Sequence, residues 1–175
     1  MIADRIGIRA PLILLCCVIQ PAHARPHLPP DHESRIGQCI RQAAHGRPWL
    51  ERTLWGLRDQ ESGWIGAEIA NSDGSHDLGP LQINSWWVPK LAAMIDRPPG
   101  QVRAWLTHEP CFNVQAARWI FLSELSATHD YWKAVGAYHS PTDWRQRRYA
   151  GLVAAKLVRR FGSFIFLEGD RHVGN

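Results

Sequence analysis

Two short blocks of this 175-residue chain concentrate side chains able to do chemistry: Glu61-Ser62-Gly63-Trp64 and Asp77-Leu78-Gly79-Pro80-Leu81-Gln82-Ile83-Asn84. Glu61 falls where a helical pattern ends, beside a glycine and an indole and just ahead of a polar loop. A carboxyl lodged there against apolar surface keeps its proton near neutral pH, because burial disfavours the charged form. That is the property a general acid needs. A lone glutamate at a helix end is weak support, since most are solvated, so its companions matter. Pro110-Cys111-Phe112-Asn113 opens a later helix, and Ala137-Tyr138-His139-Ser140 closes another. The chain has no Cys-x-x-Cys and no His-Glu-x-x-His, so the sequence points to no metal site and implies no cofactor.

The elements that must hold these groups read as helices. Ile36, Cys39, Ile40 and Ala43 recur at 3.6-residue spacing, and His45-Gly46 ends that segment. Pro48 suits the first position of a helix that runs through Leu50, Leu54 and Leu57 to Glu61, where Gly63 breaks it. Residues 65–80 hold Asn71-Ser72-Asp73-Gly74 and Gly79-Pro80 and read as loop and turn, with a strand fragment over 81–84. Ser85 suits the N-cap of a helix through Leu91 and Met94, bent at Pro89, and Pro98-Pro99 opens another that carries Val102 and Leu106. A longer helix covers Val114 to Leu125 and a short one Tyr131 to Tyr138, and Asp143 caps one running from Trp144 to Phe161. The fold class is mainly α: a single domain over 35–161 with a small irregular hairpin-like loop, preceded by an exposed Pro- and His-rich lead-in over 25–34 and followed by a tail over 162–175.

The N-terminus has an export signature. Arg5 and Arg9 precede an apolar run from Pro11 to Ile19, and Ala22-His23-Ala24 supplies a small-residue cleavage site. This is the pattern of a secretory signal peptide, and the run is roughly half the ~20 residues a membrane-spanning helix needs. Cleavage after Ala24 delivers the mature chain to the periplasm without an integral membrane segment. It removes Asp4, Arg5 and Arg9, taking the formal charge from +4 to +3. It also removes Cys16 and Cys17, leaving Cys39 and Cys111 in an oxidising compartment. One disulfide is the simplest outcome there, with two free buried thiols as the alternative. A hydrophobic share of 45% rules out a disordered chain. The positive charge is only a mild hint of an anionic partner, and the lack of any nucleic-acid-binding motif together with export speaks against nucleic acid.

Taken in order, Glu-Ser, Gly-x-x-Gln-Ile-Asn, Asn at a helix start and Ala-Tyr-x-Ser resemble the lysozyme-like soluble lytic transglycosylases. The chain is most similar to their small one-domain branch, which accompanies secretion, conjugation and pilus machineries and shares the signal peptide, two mature cysteines and a Tyr-His-Ser triplet. The likeness covers roughly residues 35–155. It implies a lysozyme-like fold acting on peptidoglycan glycan strands beside an envelope machine. It also implies cleavage of the β-1,4 bond between N-acetylmuramic acid and N-acetylglucosamine, with the sugar's own 6-hydroxyl as nucleophile and a 1,6-anhydro product. Glu61 matches the catalytic acid, and Gln82 the residue lining the sugar cleft. Asn113 matches the motif at the next helix start, where it is either an N-cap beside Cys111 or a substrate contact, and Tyr138 matches the tyrosine near the carboxyl. A second small polar residue of the family is either Ser75 or Asp77. Pro80 departs from the family's Gly-Leu-Met-Gln element and removes a backbone N–H.

Two rival readings remain. A goose-type lysozyme would hydrolyse the same bond using a second carboxylate, for which the loop offers Glu68, Asp73 and Asp77. A wall-binding assembly factor would keep the fold without catalysis. Trp86-Trp87 is either a stacking platform for sugar rings or ordinary wall packing. His139 reads as structural rather than as a base. The arginines at 145, 147, 148, 159 and 160 form either a solvated helix face or an attraction for anionic wall polymer.

Overall fold

The structure, a computed structural model, describes residues 31–166. The signal segment, the lead-in up to residue 30 and the tail from residue 167 lie outside the described residues. Seven α-helices are described: α1 (His32–Ala44), α2 (Pro48–Glu61), α3 (Val88–Ile95), α4 (Pro99–His108), α5 (Pro110–Thr128), α6 (Tyr131–His139) and α7 (Asp143–Phe161). Between α2 and α3 lies a small antiparallel sheet of β1 (Glu68–Ala70), β2 (His76–Leu78) and β3 (Ile83–Asn84), in that order. Ile69 pairs with Asp77, and Asp77 with Asn84. The mainly α architecture with a small hairpin is the fold class expected from the sequence.

Prolines open α2, α3, α4 and α5 within their first two positions, where a missing N–H costs nothing. Helix ends at His45, Ser62, Asp96 and His129 turn into the left-handed region without glycine. In each case the backbone N–H closes back onto the last turn, which offsets the conformational cost. The core centres on α5, whose Val114, Ala117, Ile120 and Phe121 are fully or almost fully buried. Around it pack Ile36 and Ile40 of α1, Leu54 and Leu57 of α2, Leu106 of α4, Val135 of α6 and Val153 of α7. Each large aliphatic side chain so buried contributes about 2 kcal/mol relative to an exposed one.

Cys39 and Cys111 form a disulfide that ties α1 to the first turn of α5 across 72 positions of sequence, with their Cα atoms 4.7 Å apart. A cluster of charges clamps α1 and α7 onto the end of α2. Arg58, itself buried, donates to Glu33 at 2.9 Å, and Arg160 grips Asp59 through two bonds of 2.6 and 2.7 Å. The Arg160 guanidinium also lies 3.9 Å from the centre of the Trp55 ring.

Several boundaries differ from the sequence expectation. α1 begins at His32, inside the stretch assigned to the exposed lead-in, because the His32 ring is buried and its Nε2 accepts the Ile65 N–H. Asn84, not Ser85, caps the single 3₁₀ turn Ser85–Trp87 that leads into α3, accepting from the Trp86 N–H. The Ser85 hydroxyl accepts from the His76 N–H instead. Thr142 holds the N-cap position of α7, and Asp143 is its first residue. After α7 the chain makes a 3₁₀ turn, Ser163–Phe166, and Ile165 packs against the core.

Candidate active site

Glu61 is the last residue of α2, and its placement follows from how that helix stops. Ser62 adopts φ 54°, its N–H bonds to Arg58 O, and its hydroxyl donates to Asp59 O. Gly63 follows because nothing larger fits: a Cβ there would lie 2.2 Å from Gly79 O and 2.7 Å from Gln82 Nε2. The glycine thus lets the Gly79–Gln82 turn press against the end of α2 and brings the two chemical blocks of the sequence together.

That turn is tightly specified. Gly79 has φ 67°, and a Cβ on it would stand 2.1 Å from Leu106 O. Its carbonyl accepts from both the backbone N–H and the side-chain amide of Gln82, at 3.2 and 2.8 Å. Pro80 occupies the second position of the turn, where its fixed φ is favourable, and the turn's own hydrogen bonds do not call on an N–H there. The departure at Pro80 is therefore compatible with the turn. Gln82 itself sits at φ 48°.

Asn113 is the brace behind this turn. Its Oδ1 accepts from Leu81 N–H at 2.9 Å, and its Nδ2 donates to Leu78 O and Leu106 O, each at 2.8 Å. The side chain is fully buried and its amide is spent on backbone. Of the two roles open to Asn113, substrate contact and N-cap, the first finds no exposed side-chain surface here. It is not an N-cap either, since Glu109 holds that position of α5.

A polar cleft of about 320 Å³ opens beside Glu61, between the hairpin and the α6–α7 junction. Its hairpin wall is a hydrogen-bonded mesh. Asn84 Nδ2 donates to Ser75 Oγ at 2.9 Å and to Asp77 Oδ1 at 3.0 Å. Ser75 in turn donates to Asp73 Oδ1 at 2.7 Å and accepts from Asn71. Ser75 is 4% exposed and has its hydroxyl committed inside this mesh, which leaves Asp77 as the member whose charge reaches Glu61. Glu68 is outside the cleft and pairs with Arg103. Trp87 lines the cleft, edge-on to Trp119 at 5.7 Å, with the Lys90 ammonium near both rings. Trp86 is 74% exposed and does not line it.

Two tyrosines pack beside Glu61, and one of them, Tyr138, lines the cleft. Tyr138, expected beside the carboxyl, donates its hydroxyl to Leu81 O at 3.0 Å. The tyrosine that donates to Glu61 Oε1 is Tyr149, from the buried stripe of α7. The sequence carried one faint sign of it: a phenol among Ala150, Val153 and Leu157 needs a partner for its hydroxyl. Tyr149 stacks on Tyr138 at 6.5 Å and lies almost parallel to the His139 ring at 4.5 Å.

The electrostatics follow from this packing. Burial pushes the Glu61 carboxyl up to about 7, and the nearby Asp77 charge adds to the rise, while the Tyr149 hydrogen bond opposes it. Burial and the Glu61 charge hold the Tyr149 and Tyr138 phenols well above the usual range, so both remain donors. Burial lowers the His139 imidazole, with Asp77 raising and Arg145 lowering it. Among the described residues no group of three or more His, Cys, Asp or Glu is arranged to hold a metal ion. The arrangement can give and take a proton at one carboxyl near neutral pH, beside a trench rich in hydrogen-bonding groups.

No protein-family model matches the chain. It is 36% identical over 103 residues to Invasion protein IagB of Salmonella typhimurium, covering 55% of this chain and 61% of that protein. The Salmonella typhi protein of the same name is 35% identical over the same length. Protein IpgF of Shigella flexneri is 28% identical over 109 residues, covering 62% of this chain and 68% of that protein. The chain thus spans about 61% of the length of the IagB proteins it matches.

Proposed function

We propose that this protein is a lysozyme-like peptidoglycan lytic transglycosylase. In this reading it is exported through a signal peptide cleaved after Ala24 and works in the periplasm. It cuts the β-1,4 bond between N-acetylmuramic acid and N-acetylglucosamine, opening the wall locally for a secretion, conjugation or pilus machine. The observation that carries the reading is the Glu61 carboxyl, pushed up to about 7 beside a polar cleft. The partial likeness to proteins named for invasion fits a role beside a machine that crosses the envelope.

Glu61 serves twice. Protonated, it gives its proton to the glycosidic oxygen as the bond from the muramoyl C1 to that oxygen breaks. The resulting carboxylate takes the proton of the same sugar's 6-hydroxyl as O6 bonds to C1. The 1,6-anhydro ring closes, no water is consumed, and the proton is back on Glu61. A carboxyl with its pKa near working pH is suited to both halves. Tyr149 holds the carboxyl in place, Gln82 and Tyr138 set the shape of the turn facing it, and Ser75 and Asn84 stiffen the hairpin wall.

Asp77 favours a second reading, since a charged carboxylate in the same cleft could activate water across the sugar ring, as in a hydrolase. Mass spectrometry of muropeptides released from purified sacculi separates the two. Anhydro ends, one water lighter, are expected; reducing ends would assign a hydrolase. A wild-type protein that releases nothing while still binding sacculi would assign a non-catalytic wall-binding factor.

A further inference from the structure

The trench does not stop at Glu61. Glu61, His139 and Arg145 line the polar cleft and also a second compartment of about 320 Å³ on the far side of the carboxyl. That compartment is walled by Gln60 of α2 and by Trp144, Arg148, Tyr149 and Leu152 of α7. Arg145, Arg148 and Leu152 recur at three- and four-residue spacing, so one face of α7 supplies them. Trp144 is 54% and Leu152 43% exposed, so apolar surface borders the polar site.

The charges there matter too. Arg58, Arg103 and Arg160 each hold a carboxylate. Arg145 and Arg148 hold none among the described residues, and the Arg145 guanidinium lies 5.4 Å from the centre of its neighbour's Trp144 ring. Of the acidic residues at the end of α2, Asp59 is taken up by Arg160, and Glu61, which lines the compartment, is bonded to Tyr149. Two guanidiniums that hold no carboxylate, beside an apolar rim, gain only neutral-acceptor hydrogen bonds from an uncharged sugar ring. They suit an anionic chain with small apolar side groups.

We infer that the second compartment receives the peptide stem carried by a muramoyl residue, with Arg148 and Arg145 pairing its carboxylates and Trp144 and Leu152 covering its apolar groups. This rests on the glycan-cleaving reading above, which places muramoyl residues beside Glu61. The stem enters along α7 while the glycan lies in the polar cleft, so the protein tells stem-bearing strands from bare ones by charge as well as by shape.

Binding tests this without relying on turnover. Labelled glycan strands with intact stems, and the same strands stripped by an amidase, are titrated onto the mature Glu61→Gln protein, alone and combined with Arg148→Gln or Arg148→Glu. Stem-bearing strands should bind about fivefold more tightly than stripped ones, the effect expected of an exposed charge pair. The advantage should shrink with Arg148→Gln, vanish with Arg148→Glu and fade as salt rises. Arg148 is exposed on a helix surface, and thermal unfolding checks that each variant stays folded. Equal affinity for both kinds of strand would overturn the inference, as would an advantage that survives Arg148→Glu. Competition by polyglutamate as strong as by free stem peptide would also overturn it, by reducing it to general attraction. If the wild type cleaves both kinds of strand without preferring stems in binding, the stem site fails and the catalytic reading stands. If stems are preferred but neither strand is cut, the catalytic reading fails alone.

Discussion

Replacing Glu61 by glutamine should make the protein more stable, and by an amount that depends on pH. The carboxyl has an ordinary value of 4.5 and is pushed up to about 7 in the folded chain. Between those values the folded state binds more proton than the unfolded state, so stability falls as pH rises through that window and levels off above it. At about 1.4 kcal/mol per tenfold, the gap amounts to about 3 kcal/mol at pH 8 and under about 1 kcal/mol at pH 5. The substituted amide would keep an oxygen to accept from Tyr149 and never ionises, so the variant escapes the pH-dependent cost while any fixed packing change cancels between the two conditions. Urea unfolding of wild type and Glu61→Gln, followed by circular dichroism with the disulfide intact, reads the effect directly. The stability difference between the two proteins should grow by about 2.5 kcal/mol from pH 5 to pH 8 in favour of the variant. At this chain length that growth is a Tm difference of roughly 5–10 °C. A difference that does not change with pH would refute the claim that burial holds the proton on Glu61.

Tyr149→Phe removes the hydrogen bond that favours the charged carboxyl, so Glu61 should titrate above 7 and the alkaline limb of the kcat/KM profile on glycan strands should move up. An unmoved limb would show that Tyr149 acts by packing alone. Asn113→Ala leaves Leu81 N–H, Leu78 O and Leu106 O without their partner and should cost about 3 kcal/mol or more, measured by denaturant unfolding. A loss below about 1 kcal/mol would mean that water replaces the amide. The Cys39→Ser, Cys111→Ser double variant should lose about 4 kcal/mol, from the closure of a loop of 72 positions. Unchanged stability there would show that the unfolded chain is already compact between those residues.

The helices were legible because their signals are local. Apolar spacing and Pro48 define α2 to its last residue, and two cysteines left after the expected cleavage suggest the pair that the structure joins. Glu61 was legible for the same reason, as a carboxyl at a helix end next to the glycine that stops it. Nothing in residues 110–113 says that Asn113 turns inward to hold three backbone groups from two other segments, so a helix-start motif reads as a surface position. Tyr138 and Tyr149 lie one stacked pair apart, and chain order alone favours the one in the recognisable triplet.

By itself the sequence determines the mainly α class and the carboxyl at the end of α2, and makes a bridge between Cys39 and Cys111 the simplest of two outcomes. Each depends on spacing within one segment or on residue count. Only the tertiary structure decides that Tyr149, 88 positions away, holds Glu61, and that Asn113 is a brace. It alone also shows that Arg145 and Arg148, both exposed, line the compartment beside Glu61. Those outcomes depend on how α7 and α5 pack against the hairpin and the end of α2. Packing of that kind is a balance of many weak contacts between distant segments, and periodicity carries no record of it.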